Sequence, residues 1–156
     1  MEKFIAEIKK FIKGEILFDP ETIRHYSRDG SIFEMEPWAV ILPQSKQDIV
    51  NLVRWLNEAK LKPENSKIKT RLSLTGRGKA TDQAGGAINE GLIVRFPKYL
   101  DKILEIGKDF VRVEPGMLWG ELNAKLEKKQ GRYVPCFPAS ADFSTIGGGT
   151  ANNCSG

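Results

Sequence analysis

Two segments of this sequence concentrate residues able to hold an anion through the backbone rather than through side-chain charge. The first is Thr75-Gly76-Arg77-Gly78-Lys79-Ala80-Thr81-Asp82-Gln83-Ala84-Gly85-Gly86-Ala87. Glycine admits positive φ and lets backbone come close to a ligand. A turn exposing several N–H groups makes an anion-binding nest. Thr81 adds a hydroxyl, and Arg77 or Lys79 could add positive charge, so the loop suits a diphosphate. The plain alternative is a flexible surface turn, because glycine clusters are common in loops. A Walker loop is excluded: Gly78-Lys79 is followed by alanine, not Ser or Thr, and the upstream glycine is misplaced. A Rossmann fingerprint is excluded because its third glycine position holds Thr81. The second segment is Pro138-Ala139-Ser140-Ala141-Asp142-Phe143-Ser144-Thr145-Ile146-Gly147-Gly148-Gly149-Thr150-Ala151-Asn152-Asn153-Cys154-Ser155-Gly156. It offers the same chemistry, with glycine expected to free backbone amides among hydroxyl and amide side chains. Two such segments with regular structure between them suggest a ligand gripped from two sides.

The elements that must position these loops follow from periodicity. Phe4, Ile5, Ile8, Phe11 and Ile12 share one face of an N-terminal amphipathic helix, with Lys3, Lys9, Lys10 and Lys13 outside it. That stretch is too charged for a signal peptide. It could lie on a membrane surface, although packing on the domain is the commoner outcome. Ala39-Val40-Ile41-Leu42, ended by Pro43, predicts a buried strand. Ser45 caps a following helix, Asp48 favours its positive end, and Ile49, Leu52, Val53 and Leu56 form its apolar stripe. Pro63, Asn65 and Ser66 predict a loop over 60–69. Strands are expected at 72–74 and 92–96, with the glycine turn between them at 76–86. A hairpin at 103–106 and 110–113 turns on Gly107-Lys108-Asp109. A helix carrying Leu118, Leu122 and Leu126 ends near Gly131. Beyond Val134 the composition turns to Pro, Ser, Thr, Gly and Asn. Strands and helices in this order imply an α+β or α/β lobe.

Composition narrows the function classes. The chain has 156 residues, 40% of them hydrophobic, enough for one globular domain or one lobe plus part of another. The formal charge of +4 is spread along the chain, without the dense basic stripe that nucleic-acid binding requires. No segment reaches the apolar length of a membrane span. Cys136 and Cys154 lie far apart with no CxxC, which speaks against zinc and for two free thiols in a reducing, cytoplasmic setting, with a single disulfide as the alternative.

The order of motifs resembles the FAD-binding domain of the p-cresol methylhydroxylase/vanillyl-alcohol oxidase superfamily, in particular its glycolate oxidase subunit and D-lactate dehydrogenase-like branch. The resemblance runs from about Tyr26 to the last residue. Tyr26 to Asp29 with Ser31, then Pro37, then Val40-Ile41-Leu42-Pro43 with Ser45, look like its leading segment. Arg77-Gly78-Lys79-Ala80-Thr81 with Gly85-Gly86 is similar to its RGxGT…GG loop. Val113-Glu114-Pro115-Gly116 with Trp119, Glu121 and Leu122 resembles its VxPG…W..L segment. Pro138, Ser144-Thr145-Ile146-Gly147-Gly148, Asn152-Asn153 and Ser155-Gly156 resemble its second loop. The resemblance implies that backbone at Gly78, Lys79, Ala80, Thr81 and Asp82 holds the FAD pyrophosphate, with Gly86 and Ala87 closing the loop. It implies that Pro138, Thr145, Gly147, Gly148 and Asn152 approach the pyrophosphate and flavin from the other side.

Two residues depart from the family pattern. Ala80 stands where glycine is frequent, so that position must accept a Cβ. Asp82 stands where a small residue is frequent, and its carboxylate would repel a pyrophosphate unless it faces away. Some relatives attach flavin through a histidine near the first loop. None is present here, so FAD is expected to bind non-covalently. The single histidine, His25, precedes every motif and is expected to be an ordinary residue.

The expected fold is α+β: the first lobe of such a domain, a small mixed sheet with flanking helices, followed by an incomplete second lobe. The expected divisions are 1–24, an amphipathic helix and lead-in; 25–131, the first lobe; and 132–156, the start of the second lobe with its glycine loop. The family's substrate domain is expected beyond this sequence, so no catalytic residue and no metal ligand is assigned. The expected function is the FAD-binding portion of an oxidoreductase acting on a 2-hydroxy acid such as D-lactate or glycolate, incomplete by itself. The alternatives are one chain of a split enzyme completed by a partner, or a non-catalytic nucleotide- or phosphate-binding lobe. The expected partners are FAD and the remainder of the enzyme. The tail is expected to be poorly ordered, or held by a partner or a neighbouring copy, and to expose Phe137, Phe143 and Ile146, favouring self-association.

Overall fold

A computed structural model describes residues 2–154. The chain divides into two units. The first comprises the residues up to Arg77 together with Asp82–Arg95; the second comprises Gly78–Thr81 together with the residues from Phe96 onward.

The first unit is built on a four-stranded sheet. Its strands are β1 (Glu15–Leu17), β2 (Ala39–Leu42), β3 (Leu74–Arg77) and β4 (Leu92–Arg95), in the order β1-β2-β4-β3. β1 runs antiparallel to β2, while β4 is parallel to both its neighbours, so the sheet is mixed as expected. All four residues of β2 are buried, as the run of apolar side chains requires for a central strand. Helix α1 (Glu2–Ile8) buries Phe4, Ile5 and Ile8, so its apolar face packs within the protein. Phe4 stacks on Trp38 at 5.9 Å and meets the edge of Trp55 at 5.8 Å.

Helix α2 (Pro20–Tyr26) starts from Asp19, whose carboxylate accepts from the Thr22 N–H. Helix α3 (Lys46–Leu61) is capped by Ser45 as the sequence predicts, through a 3.2 Å bond from the Asp48 N–H. Two details differ from expectation. Val53 is exposed, and Trp55 and Ala59 complete the stripe instead. Asp48 is buried at 2% exposure, and its carboxylate accepts from the backbone N–H groups of Lys13, Gly14 and Gln44, tying two loops together. The stretch expected to be a loop over 60–69 instead completes α3 and forms a 3-10 helix, Pro63–Ile68. Proline at its start needs no N–H partner there, and buried Asn65 donates to the Ala59 carbonyl at 2.8 Å.

In the second unit, β5 (Ile103–Ile106) and β6 (Val111–Val113) form the expected antiparallel hairpin. Helix α4 (Trp119–Gln130) ends on Gly131 at φ 65°, a left-handed cap. Met117, Leu122 and Leu126 form the core, covered by Ile103, Ile106, Val111, Val113, Val134 and Ile146. The tail carries regular structure where disorder was the first expectation: a 3-10 turn, Ala141–Phe143, and helix α5 (Ile146–Ala151). Ile146 packs on the core, Phe137 is half-buried, and Phe143 alone of the three is exposed.

Candidate functional site

The strand β3 runs two residues past the expected start of the glycine turn, through Gly76 to Arg77, before the first loop begins. Within the second unit, Gly78–Thr81 lies against the start of α5. A Cβ on Gly78 would overlap the Thr145 hydroxyl, so only glycine permits this approach. Ala80 adopts φ 58°, the left-handed conformation that the absence of glycine made notable in the sequence. The Thr81 hydroxyl lies 3.2 Å from the Ser144 hydroxyl, which lies 2.5 Å from that of Ser140. Among the described residues, the backbone N–H groups of Gly78, Lys79, Ala80 and Thr81 enter no intramolecular hydrogen bond. An unbonded run of amides turned by a left-handed residue is the geometry of an anion nest.

The second glycine segment uses its amides differently. Thr145 caps α5, accepting from the Gly148 N–H at 3.1 Å. The Gly147 N–H donates to the Pro115 carbonyl at 2.9 Å, and the Asn152 N–H to the Gly148 carbonyl at 3.0 Å. The glycines here are required by packing. A Cβ on Gly147 would come within 2.7 Å of Pro115, and one on Gly149 within 2.8 Å of both the Trp119 Nε1 and the Cys154 sulfur. The sequence expected these amides to be free; the fold spends those of Gly147 and Gly148 on itself. Trp119 Nε1 is buried with no acceptor among the described residues. Pro138 is half-buried, and its carbonyl receives the Ala141 N–H.

The remainder of the first loop belongs to the first unit. Asp82 folds back on its own loop, its carboxylate accepting from the N–H groups of Ala84 at 3.0 Å and Gly86 at 2.7 Å. The Ala87 N–H donates to Asp29. Arg77, a candidate phosphate ligand by sequence, is instead a buried structural cation. Its guanidinium donates to the carbonyls of Tyr26, Ala87 and Arg28 and covers the Tyr26 ring at 4.9 Å. Burial holds its pKa below the ordinary arginine value, with the charges of Tyr26 and Asp29 opposing that shift. Lys79 is the exposed cation of the loop. His25 is exposed near the end of α2.

The structure therefore brings Gly78 to Thr145 and Thr81 to Ser144, joining parts of both glycine segments within one unit. Ser140 and Ser144, absent from the sequence-derived site, complete the hydroxyl chain. Their signal was position alone, since Ser144 directly precedes the capping Thr145. Cys136 and Cys154 are free thiols. Among the described residues, no helix is long and apolar enough to cross a membrane, and no group of three His, Cys, Asp or Glu is placed to hold a metal.

A family model described as "FAD binding domain" matches residues 37–156. The chain belongs to the FAD binding domain family. Its cofactor is FAD, and the open amides of Gly78–Thr81 and the side-chain-free approach at Gly78 fit a diphosphate. This FAD-binding chain is 33% identical over 132 residues to a D-2-hydroxyglutarate dehydrogenase of Pantoea ananatis (strain AJ13355), covering 83% of the chain and 12% of that protein. It is 32% identical over 156 residues to the D-2-hydroxyglutarate dehydrogenase of Stutzerimonas stutzeri (strain A1501), covering 97% and 31%. It is 30% identical over 135 residues to the glycolate oxidase subunit GlcD of Bacillus subtilis (strain 168), covering 84% and 26%. The chain thus spans 12% to 31% of the length of these relatives. Two solved structures share its fold. Alkyldihydroxyacetonephosphate synthase superposes with a TM-score of 0.75 at 21% identity, over 100% of the chain and 30% of that structure. p-Cresol methylhydroxylase with substrate bound superposes with a TM-score of 0.75 at 16% identity, over 98% and 29%.

Proposed function

We propose that this chain is the FAD-binding portion of an FAD-dependent dehydrogenase or oxidase of a 2-hydroxy acid. The observation that carries the reading is the run of open amides at Gly78–Thr81, turned by left-handed Ala80 beside Thr145. Four such donors suit the two charged phosphates of FAD. The flavin supplies the redox chemistry, and the protein binds and orients it. Backbone at Gly78, Lys79, Ala80, Thr81 and Asp82 binds the diphosphate, and Gly86 and Ala87 close the loop. Thr145 caps the helix at whose start Gly147 and Gly148 approach the cofactor from the other side, with Pro138 and Asn152 flanking it. Binding is non-covalent, since no histidine stands in the first loop. The substrate class follows the relatives, which are named for 2-hydroxyglutarate and glycolate. Residues that touch substrate belong to the remainder of the enzyme, the expected partner of this portion. The free thiols fit a reducing, cytoplasmic compartment.

The test is flavin retention. Protein purified with added FAD is expected to show flavin absorbance. The double variant Thr81→Ala/Gly148→Ala is expected to lose most of it, and unchanged flavin content would overturn the assignment of both loops.

A further inference from the structure

The first glycine loop treats its amides in two ways. Those of Gly78–Thr81 are open, while those of Ala84, Gly86 and Ala87 are each engaged by a carboxylate. Asp82 supplies two of these three bonds through one oxygen. Gly85, at φ 82°, turns the chain so that the Gly86 N–H points back at Asp82. The fit is tight: a Cβ on Gly86 would lie 3.2 Å from the same oxygen. A bond of 2.7 Å from an N–H to a carboxylate is in the strong, charge-assisted range.

We infer that Asp82 is a positioning residue of the FAD-binding loop, an internal anion that occupies the Ala84 and Gly86 amides and so leaves the diphosphate to Gly78–Thr81. Two N–H donors stabilise the carboxylate and turn its Oδ2 towards Ala84 and Gly86. The carboxylate is thereby engaged in closing the loop. The inference rests on the FAD reading above for its ligand, but the clamp itself stands on geometry alone.

The test uses Asp82→Ala and Asp82→Asn, with two measurements. Amide hydrogen exchange at Ala84 and Gly86 is expected to quicken about tenfold in Asp82→Ala, because the bonds that close the loop are gone. FAD titration followed by flavin fluorescence is expected to show Kd rising about tenfold, equivalent to ~1.4 kcal/mol. Asp82→Asn keeps an acceptor oxygen without the charge, and is expected to remain within about threefold of the parent affinity. Tighter FAD binding in both variants would mean that the carboxylate faces the diphosphate, and would overturn the inference. Unchanged exchange at Gly86 in Asp82→Ala would overturn it as well. If the parent protein binds no FAD, the ligand reading fails, while the exchange measurement still decides the clamp.

Discussion

At the scale of single residues, the first loop places an alanine where its backbone calls for glycine. Ala80 at φ 58° bears the steric cost of a Cβ in the left-handed region. Ala80→Gly relieves that cost but frees the unfolded chain, so the net gain is modest. The expected result is stabilisation by about 0.5–1 kcal/mol in denaturant unfolding. A loss of stability would mean that the Ala80 methyl makes contacts worth more than the strain. Arg77 shows a different displacement of role. By type it is a phosphate ligand; by position, at 6% exposure, it is spent on three carbonyls of its own unit.

At the scale of elements, Gly78 and Thr145 are mutually dependent. Thr145 both caps α5 and closes the space beside Gly78. Gly78→Ala is expected to cost about 1–3 kcal/mol by overpacking. Thr145→Ala is expected to cost about 1 kcal/mol through loss of the cap. Since Thr145→Ala removes the hydroxyl that Gly78→Ala would strike, the double variant should cost clearly less than the sum. Strict additivity in unfolding measurements would deny the contact. Elements with strong periodicity were legible beforehand: β2, α3 with its Ser45 cap, the β5–β6 hairpin, and α4 ending at Gly131. Those missed lacked a local signal. β1 is three residues long and opens on Glu15, so it exists by pairing with β2 rather than by propensity. The stretch containing Pro63 and Asn65 looked like a loop because its order comes from a side chain reaching the Ala59 carbonyl. Ile146 was hidden by its glycine-rich neighbours, although it closes a core formed far earlier in the chain. The site was legible in its residue types but not in its donors. Sequence marks where glycines stand, whereas the partner of each N–H depends on tertiary contacts such as that of Gly147 with Pro115.

At the scale of the whole molecule, the family assignment makes FAD a stabilising ligand by mass action. Free FAD at about 100 times its Kd is expected to add ~2.7 kcal/mol to folding stability, visible as a rise in Tm. The rise should track FAD concentration and should be reduced in Thr81→Ala. No shift at any concentration would mean that this portion does not bind the cofactor alone, even though the family does. The chain spans at most 31% of the length of the relatives described, so FAD binding rather than turnover is what these measurements on the chain read.

The buried indole of Trp119 gives the second glycine segment an optical signature. Its Nε1 has no acceptor among the described residues and sits where a methyl group on Gly149 would have to go. Trp55, by contrast, donates to Glu7. An indole whose N–H is unbonded in apolar surroundings emits towards the blue, and shifts to the red when it acquires an acceptor or water. The wavelength of Trp119 emission, isolated by comparison with Trp119→Phe, therefore records whether the turn around Gly149 is closed, with no label added.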